Sequence, residues 1–513
     1  MKAMYINTIL LTTVIAVNAC SDKDSPVLTH RDLDGTTEYF ASEDEIMFTT
    51  LYKPAVGYVA DPMPFYDPVT KDYKVMYLQD YRPNQVATYH PIWAVSTDDA
   101  ASYVSMGELV PCGGASEQDA AIGTGSVIYN PKDELYYVFY TGNKHQPTAS
   151  DFPQAVMYAT SKDFREWTKC RTFLLTGPEN GYSRNDFRDP HVFADEEGLY
   201  HMVISTSKEG KGVLAEYVSA DMVSWEHKGV FMTMMWDRFY ECPDIFRMGD
   251  WWYLVYSEIH SAVRKVQYFK GRTLDELKAC TAGDAGIWPD SKEGFLDSRG
   301  FYAGKTASDG IDRYIWGWCA DRQGSDNLNL YDWGGCLVAH KLKQNDDGTL
   351  VCVPVPAVKA KFDGCEVEEA DSFELKPGEH RLLKRLGVHN YLSLKVNATG
   401  RFGLSFVRGS DSEKYYSLVF NPEDGGIRRK INFEQEGNEA VGFLEGSDSY
   451  IFEAPDDNMY NIVISTDNSV LTMYVNDVLA YTCRIYGLAK NPWSVNCYDG
   501  TLSVTDLSFA KYN

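Results

Sequence analysis

Residues 240–246 read YECPDIF, which sets the carboxylate of Glu241 inside an apolar run and beside Cys242. An ionised carboxylate is costly to bury unless it is paired or its pKa shifts, so the position asks for a chemical reason. Two further acids stand in similar surroundings: Asp61 in VADPMPFYD (59–67) and Asp189 in FRDPHVFAD (187–195). Three converging carboxylates suit cleavage of a glycosidic bond. One attacks or activates water, a second with a raised pKa protonates the leaving oxygen, and a third holds substrate hydroxyls. Such chemistry needs no metal and no cofactor. A Ca²⁺ site would ask for more oxygen ligands at closer loop spacing, and no cysteine stands in a CxxC or at zinc-ligand spacing from a histidine. Burial is expected to raise the pKa of Glu241. Cys242, with no thiol or metal partner in the sequence, is expected to pack behind the site, because strand neighbours point to opposite faces.

These acids need a scaffold that brings distant segments to one place. Helical periodicity is nearly absent, and short alternating runs broken at Gly, Asp and Asn dominate. A phrase recurs: WAVSTDD (93–99), MYATSKDFREW (157–167) and AEYVSADMVSW (215–225) each give an apolar strand and then Ser-x-Asp. The serines are Ser96, Ser161 and Ser219, 65 and 58 residues apart, and VQYFKGRTLDEL (266–277) is a degraded fourth copy. Middle strands are expected at 72–78, 135–142, 199–205, 251–257 and 313–318. Five such units predict a five-bladed β-propeller over residues 46–356. The strands before them would line its channel, with Asp61, Gly125, Asp189, Glu241 and Tyr302 equivalent at steps of 64, 64, 52 and 61. Residues 370–513 alternate without the phrase and read as a C-terminal β-sandwich. The fold class is all-β.

The formal net charge of −25 leaves no basic patch for phosphates and excludes nucleic acid as partner. Aromatics at 14%, among them 35 Tyr and 11 Trp, fit both strands and surfaces that stack on sugar rings. The start, MKAMYINTILLTTVIAVNAC, has one Lys, a short apolar core and Ala19 before Cys20. It has the shape of a secretory signal over 1–19. Because it ends in Cys, it resembles a bacterial lipoprotein signal with Cys20 as the lipidated residue. Polar, acidic 20–45 reads as a tether and resembles a cell-surface export signal. The expected location is the outer membrane, held by a lipid at Cys20. Cys319, Cys336 and Cys352 lie in strand-like runs and are expected to be small buried hydrophobes.

The ordered set Asp-Pro at 61–62, Arg-Asp-Pro at 188–190 and Glu-Cys-Pro at 241–243 resembles glycoside hydrolase family 32, the fructan hydrolases and invertases. WGW at 316–318 resembles its fifth-blade motif, and residues 465–486 resemble its sandwich domain. Within the family the chain looks like the Bacteroides-type surface lipoproteins that act on levan. The resemblance implies Asp61 as nucleophile, Glu241 as general acid/base and Asp189 as stabiliser, aided by Arg188. It implies substrate contacts from Gln79, Thr124 and Trp318, with Trp93 as an aromatic of the first blade; His90 lies near the cleft. His191, His201 and His260 are expected to be structural.

The chain departs from the family pattern at Ala60, Met63 and Pro64 around the nucleophile. It departs again at Pro91, Ile92 and Trp93 in place of Trp-Gly-His, and at Gly123 in place of a second-blade Trp. Those losses speak for a more open cleft than a sucrose-type pocket. The expected function is endo-cleavage of levan (β-2,6) fructan with retention, with other surface glycan-uptake proteins as further partners. The alternatives are an exo-acting fructanase, inulinase or invertase, an inverting arabinan- or xylan-type propeller hydrolase, and a non-catalytic glycan-binding protein.

Overall fold

The computed structural model describes residues 29–31, 38–40 and 48–512, leaving out 82–89, 235–238, 259–264, 281–293, 326, 328–330, 386, 408–414, 490–491 and short stretches between 423 and 453. The signal region, Cys20 and His260 lie outside the described residues. Within the expected tether, Thr29–Arg31 pairs antiparallel with Glu38–Phe40.

Blade one is Tyr58–Tyr66, Tyr73–Asp80, Ile92–Thr97 and Val104–Val110. Blade two is Ala121–Asn130, Leu135–Asn143, Gln154–Ser161 and Thr168–Lys169, and blade three is Phe187–Ala194, Tyr200–Lys208, Lys211–Ser219 and Glu226–Thr233. Blade four is Tyr240–Met248, Trp251–Glu258 and Val266–Gly271, followed by a short helix, Leu274–Ala279. Blade five is Phe301–Ser308, Arg313–Arg322, Tyr331–Gln344 and Leu350–Val353. Each blade runs up and down in chain order, and the five first strands neighbour one another in a closed ring. The five expected middle strands are the second strands of these blades. Tyr73–Asp80 is buried at every position, because a second strand is covered by a neighbouring blade on each face. A separate apolar cluster fills each gap between blades, such as Met76, Val138 and Tyr140 between blades one and two. Cys319, Cys336 and Cys352 are free, fully buried members of the cluster between blades four and five.

The repeated phrase ends each third strand in one hydrogen-bonded turn. Ser161 Oγ accepts from the Asp163 amide, and Asp163 Oδ1 accepts from the amides of Arg165 and Glu166. Ser219 and Asp221 repeat this with Val223 and Ser224. In blade one the same turn uses Thr97 and Asp99, with the amides of Ala101 and Ser102. The first copy is therefore Thr97-x-Asp99, one residue later than the Ser96 expected from sequence; a hydroxyl of either kind serves. Ala100, Phe164 and Met222 follow at φ 57°, 61° and 61°. The carbonyl of each takes a hydrogen bond from an aromatic three residues on: Tyr103, Trp167 and Trp225. The degraded fourth copy diverges because Thr273 caps a helix instead, accepting from the Glu276 amide.

The second domain packs two seven-stranded sheets face to face, beginning at Val367–Ala370. Its core includes Leu392, Phe402, Tyr460 and Trp493. Fully buried Arg484 pins it to the propeller, donating to the carbonyls of Cys319 and Ala320 and pairing with Asp321 at 3.3 Å.

One feature of the ring decides how the acids are presented. Every first strand slips register against its second strand at the same level: Ala60/Met63, Gly123/Gly125, Arg188/His191, Glu241/Asp244 and Tyr302/Lys305. The bulged residues Asp61, Asp189, Cys242 and Ala303 have φ of 39°, 55°, 51° and 54°. Thr124 is their counterpart in blade two. The proline that follows in three of the five bulges lacks an N–H where the ladder needs none. The blade equivalence expected from sequence is thus corrected. Asp61 and Asp189 are equivalent to Thr124, Cys242 and Ala303. Glu241 and Tyr302 stand one residue earlier, level with Ala60, Gly123 and Arg188, and Gly125 stands one later, level with Pro62, Pro190, Pro243 and Gly304.

Candidate active site

The bulges bring Asp61, Asp189 and Glu241 to one end of the channel. A cavity of about 240 Å³ opens there, lined by the three acids with Thr124, Arg188, Cys242 and Tyr302 from the first strands, and His90, Asn143 and Trp333 from outside them. Each acid has its own donors. Thr124 Oγ1 donates to Asp61 Oδ2 at 2.5 Å, and Trp318 Nε1 donates to Asp61 Oδ1 at 3.1 Å. Tyr302 donates its hydroxyl to Glu241 Oε2 at 2.7 Å, and Arg188 Nη2 donates to Oε1 at 3.1 Å. The Cys242 amide donates to Asp189 Oδ2 at 3.0 Å. Further out, the Asp189 amide donates to Thr141 Oγ1, whose hydroxyl donates to the Thr124 carbonyl. Arg188 is itself held by Asp186 at 2.9 Å and lies 3.9 Å over the Phe239 ring.

The electrostatics follow from burial. Desolvation, with repulsion from Asp189 and Glu241, pushes the Asp61 carboxyl up to about 6, although Thr124 and Trp318 pull against it. Burial raises Asp189 as well, opposed by the Arg188 charge. His90 is depressed to about 4 by burial and is therefore neutral near pH 7.

Most of the residues expected from sequence meet here: Asp61, Asp189, Glu241, Arg188, Thr124 and His90; Trp318, expected to contact the sugar, is instead fully buried behind Asp61, which it holds through its indole N–H. Two others do not meet here. Trp93 lies on the third strand of blade one, packed with Tyr77, Trp316 and Leu337 between blades five and one. It faces away from the cavity because a third strand is two strands removed from the channel. Gln79 is fully buried on the second strand, donates to the Val56 carbonyl at 2.5 Å, and is absent from the cavity wall. The expected place of Cys242 is corrected as well. Its positive φ breaks the alternation of faces, so its side chain lines the cavity with Glu241 instead of packing behind it, Sγ 4.0 Å from Thr124 Oγ1. Tyr302, Asn143 and Trp333 carried no site signal in the sequence. Tyr302 was visible as a fifth-blade position, but only the fold sets its hydroxyl on Glu241. Asn143 and Trp333 stand outside any repeated phrase. Among the described residues no group of three or more His, Cys, Asp or Glu side chains has metal-holding geometry.

The comparisons with known proteins identify the family. Residues 52–354 match the model "Glycosyl hydrolases family 32 N-terminal domain", more than half of the chain. The chain belongs to glycoside hydrolase family 32. Residues 349–509 match a second model of the same family, "GH32, BT1760-like, C-terminal domain". The chain is 31% identical over 119 residues to the sucrose-6-phosphate hydrolase of Staphylococcus xylosus, covering 23% of this chain and 24% of that one. It is 24% identical over 408 residues to a rice (Oryza sativa subsp. indica) β-fructofuranosidase, insoluble isoenzyme 1, covering 73% and 68%. The alignments with the first three curated relatives span 24%, 34% and 22% of their lengths, well under two thirds. The family fold is seen in fructan 1-exohydrolase IIa of Cichorium intybus, which superposes with a TM-score of 0.73 over 92% of this chain and 98% of that one at 16% identity.

Proposed function

We propose that this member of family 32 hydrolyses β-fructosidic bonds with retention and cuts within levan chains. Asp61 is the nucleophile. Its two oxygens are fixed by Thr124 and Trp318, which orients the carboxylate toward an anomeric carbon. Glu241 protonates the leaving oxygen and then takes a proton from the incoming water. Asp189 receives sugar hydroxyls, and Arg188 orients Glu241.

The observation that carries the reading is that one cavity holds these carboxylates on separate donor sets. A nucleophile and an acid/base must not share a proton. Thr124 and Trp318 serve Asp61, Tyr302 and Arg188 serve Glu241, and the Cys242 amide serves Asp189. Endo-action is supported by Gly123 in the cavity wall, where the family pattern has a Trp. The levan preference rests on the resemblance of the sequence to the Bacteroides-type subgroup alone. Anchoring at the cell surface through a lipid on Cys20 completes the proposal, since a polymer too large for import must be cut outside.

An exo-acting β-fructosidase is the second reading. It is favoured by a cavity of about 240 Å³, closer in scale to one sugar unit than to a trough. Incubation with levan, inulin and sucrose, with product sizing and NMR of the first anomer released, separates the readings. Oligosaccharides from levan with retained configuration support the proposal. Fructose alone supports exo-action, an inverted product removes Asp61 as nucleophile, and no product from any of the three removes the catalytic reading.

A further inference from the structure

Two cavities lie along the propeller channel. The first holds the carboxylates. The second, about 220 Å³, is lined lower on the same first strands by Phe65, Ser126, His191, Asp244 and Thr306. Lys305 lines this second cavity. It belongs to the first strand of blade five, is 2% exposed, and lies three residues past Tyr302. Its Nζ donates to the carbonyls of Gly125 and Pro243, each at 2.9 Å.

Those two carbonyls are not arbitrary. Gly125 and Pro243 occupy equivalent places in the bulges of blades two and four. Thr124, which holds Asp61, immediately precedes Gly125, and Glu241 and Cys242 immediately precede Pro243. A side chain at position 125 is excluded, because a Cβ there would fall 1.7 Å from the Phe139 carbonyl oxygen. The backbone at this bulge is thus packed in place, and one ammonium ties it to the bulge of the fourth blade. A buried cation is costly to keep unless it is hydrogen-bonded and faced by opposite charge. The titratable groups that face it are Asp61 from blade one, Asp189 and His191 from blade three, and Cys242 and Asp244 from blade four.

We propose that Lys305 is a positioning residue for the family reaction: its ammonium ties the bulges that carry Thr124 and Glu241 and sets a buried, hydrogen-bonded cation beneath the acids of the site. This rests on the proposed roles of Asp61 and Glu241. Burial holds the Lys305 ammonium below the usual lysine range, opposed by Asp244, Cys242, Asp189 and Asp61, and Asp189 is in turn drawn down by Lys305.

The test compares Lys305→Met and Lys305→Gln, which are neutral, with Lys305→Arg, which keeps the charge. Without the cation, Asp61 and Asp189 bind protons more readily, so the acid limb of kcat/KM moves to higher pH by roughly half a unit or more. The arginine variant returns it toward the wild-type position. Acid limbs of both neutral variants coinciding with wild type would overturn the proposal, whatever happened to the rate, because a purely structural residue leaves the limb where it was. If the neutral variants melt too early to assay, Tm decides. The loss caused by Lys305→Met must be smaller in an Asp189→Asn background, where one carboxylate facing the cation is already neutral. An equal loss in both backgrounds overturns the electrostatic role. A wild-type chain that cleaves no β-fructoside defeats the proposed function but leaves the Tm comparison readable.

Discussion

Thr124 donates a 2.5 Å hydrogen bond to the carboxylate of Asp61 from the neighbouring blade, 63 positions along the chain. The bond opposes the burial that lifts Asp61 to about 6. The nucleophile proposed here must be ionised, so activity is expected to fall as pH drops below about 6. In Thr124→Val the carboxyl rises further, and the acid limb of kcat/KM moves to higher pH with a loss of about tenfold at pH 5.5. Thr124→Ser keeps the wild-type profile. An unmoved limb in the valine variant would show that the hydroxyl does not hold the reactive carboxylate.

The same raised carboxyl has a cost in stability. Asp61 binds its proton more tightly folded than unfolded, so its contribution favours folding at low pH and is lost as pH rises through about 6. Asp61→Asn removes that burden. The variant is expected to be inactive yet more stable than wild type at pH 7.5, by roughly 1–3 kcal/mol, with little gain at pH 4. Denaturant titrations at the two pH values read this directly, and a destabilised asparagine variant at pH 7.5 contradicts it.

Glu241 receives the Tyr302 hydroxyl at 2.7 Å and the Arg188 guanidinium at 3.1 Å. Glu241→Gln is expected to lose about 10³-fold or more in kcat on levan. Glu241→Ala should recover activity with added azide on an activated aryl fructoside and release a β-fructosyl azide. Unchanged product release by the glutamine variant would end its assignment as acid/base. Tyr302→Phe is a milder lesion, expected to cost about tenfold in kcat with the melting curve unaltered.

Cys242 lies in the cavity wall, but burial and the neighbouring Asp61, Asp189 and Glu241 push its thiol well above the usual range. Thiolate is the reactive form, so iodoacetamide at pH 8 is expected to leave Cys242 unlabelled in a peptide map. Cys242→Ser should retain activity within about tenfold, since the group that holds Asp189 is the Cys242 amide. Rapid labelling with loss of activity would contradict an inert thiol and point to a direct part for Cys242 in the chemistry.

Arg484 is one of several buried ties between the two domains, beside the bonds of Thr482 to Asp297 and Tyr486 to Asp321. Arg484→Met strands the Cys319 and Ala320 carbonyls and leaves Asp321 without its guanidinium. The expected cost is about 3–5 kcal/mol, seen as an earlier unfolding transition of the whole chain. A melting curve identical to wild type would show that the junction does not depend on this residue.

The sequence by itself determined the class of fold and the identity of the three acids. Second strands buried on both faces must be apolar, and each blade must repeat the same turn, so both leave a countable pattern in one dimension. The prolines after Asp61, Asp189 and Cys242 marked the bulges as well, and aligning Asp-Pro with Cys-Pro would have set the blade register correctly. Only the tertiary structure decided which side chains the bulges turn into the channel. A positive φ overrides strand alternation, which is why Cys242 faces the site and why Glu241 reaches it from one residue earlier than Asp61 and Asp189. Tyr302, Trp333 and Lys305 likewise gain their places from closure of the ring, because each meets a partner from another blade and no local spacing encodes such a contact.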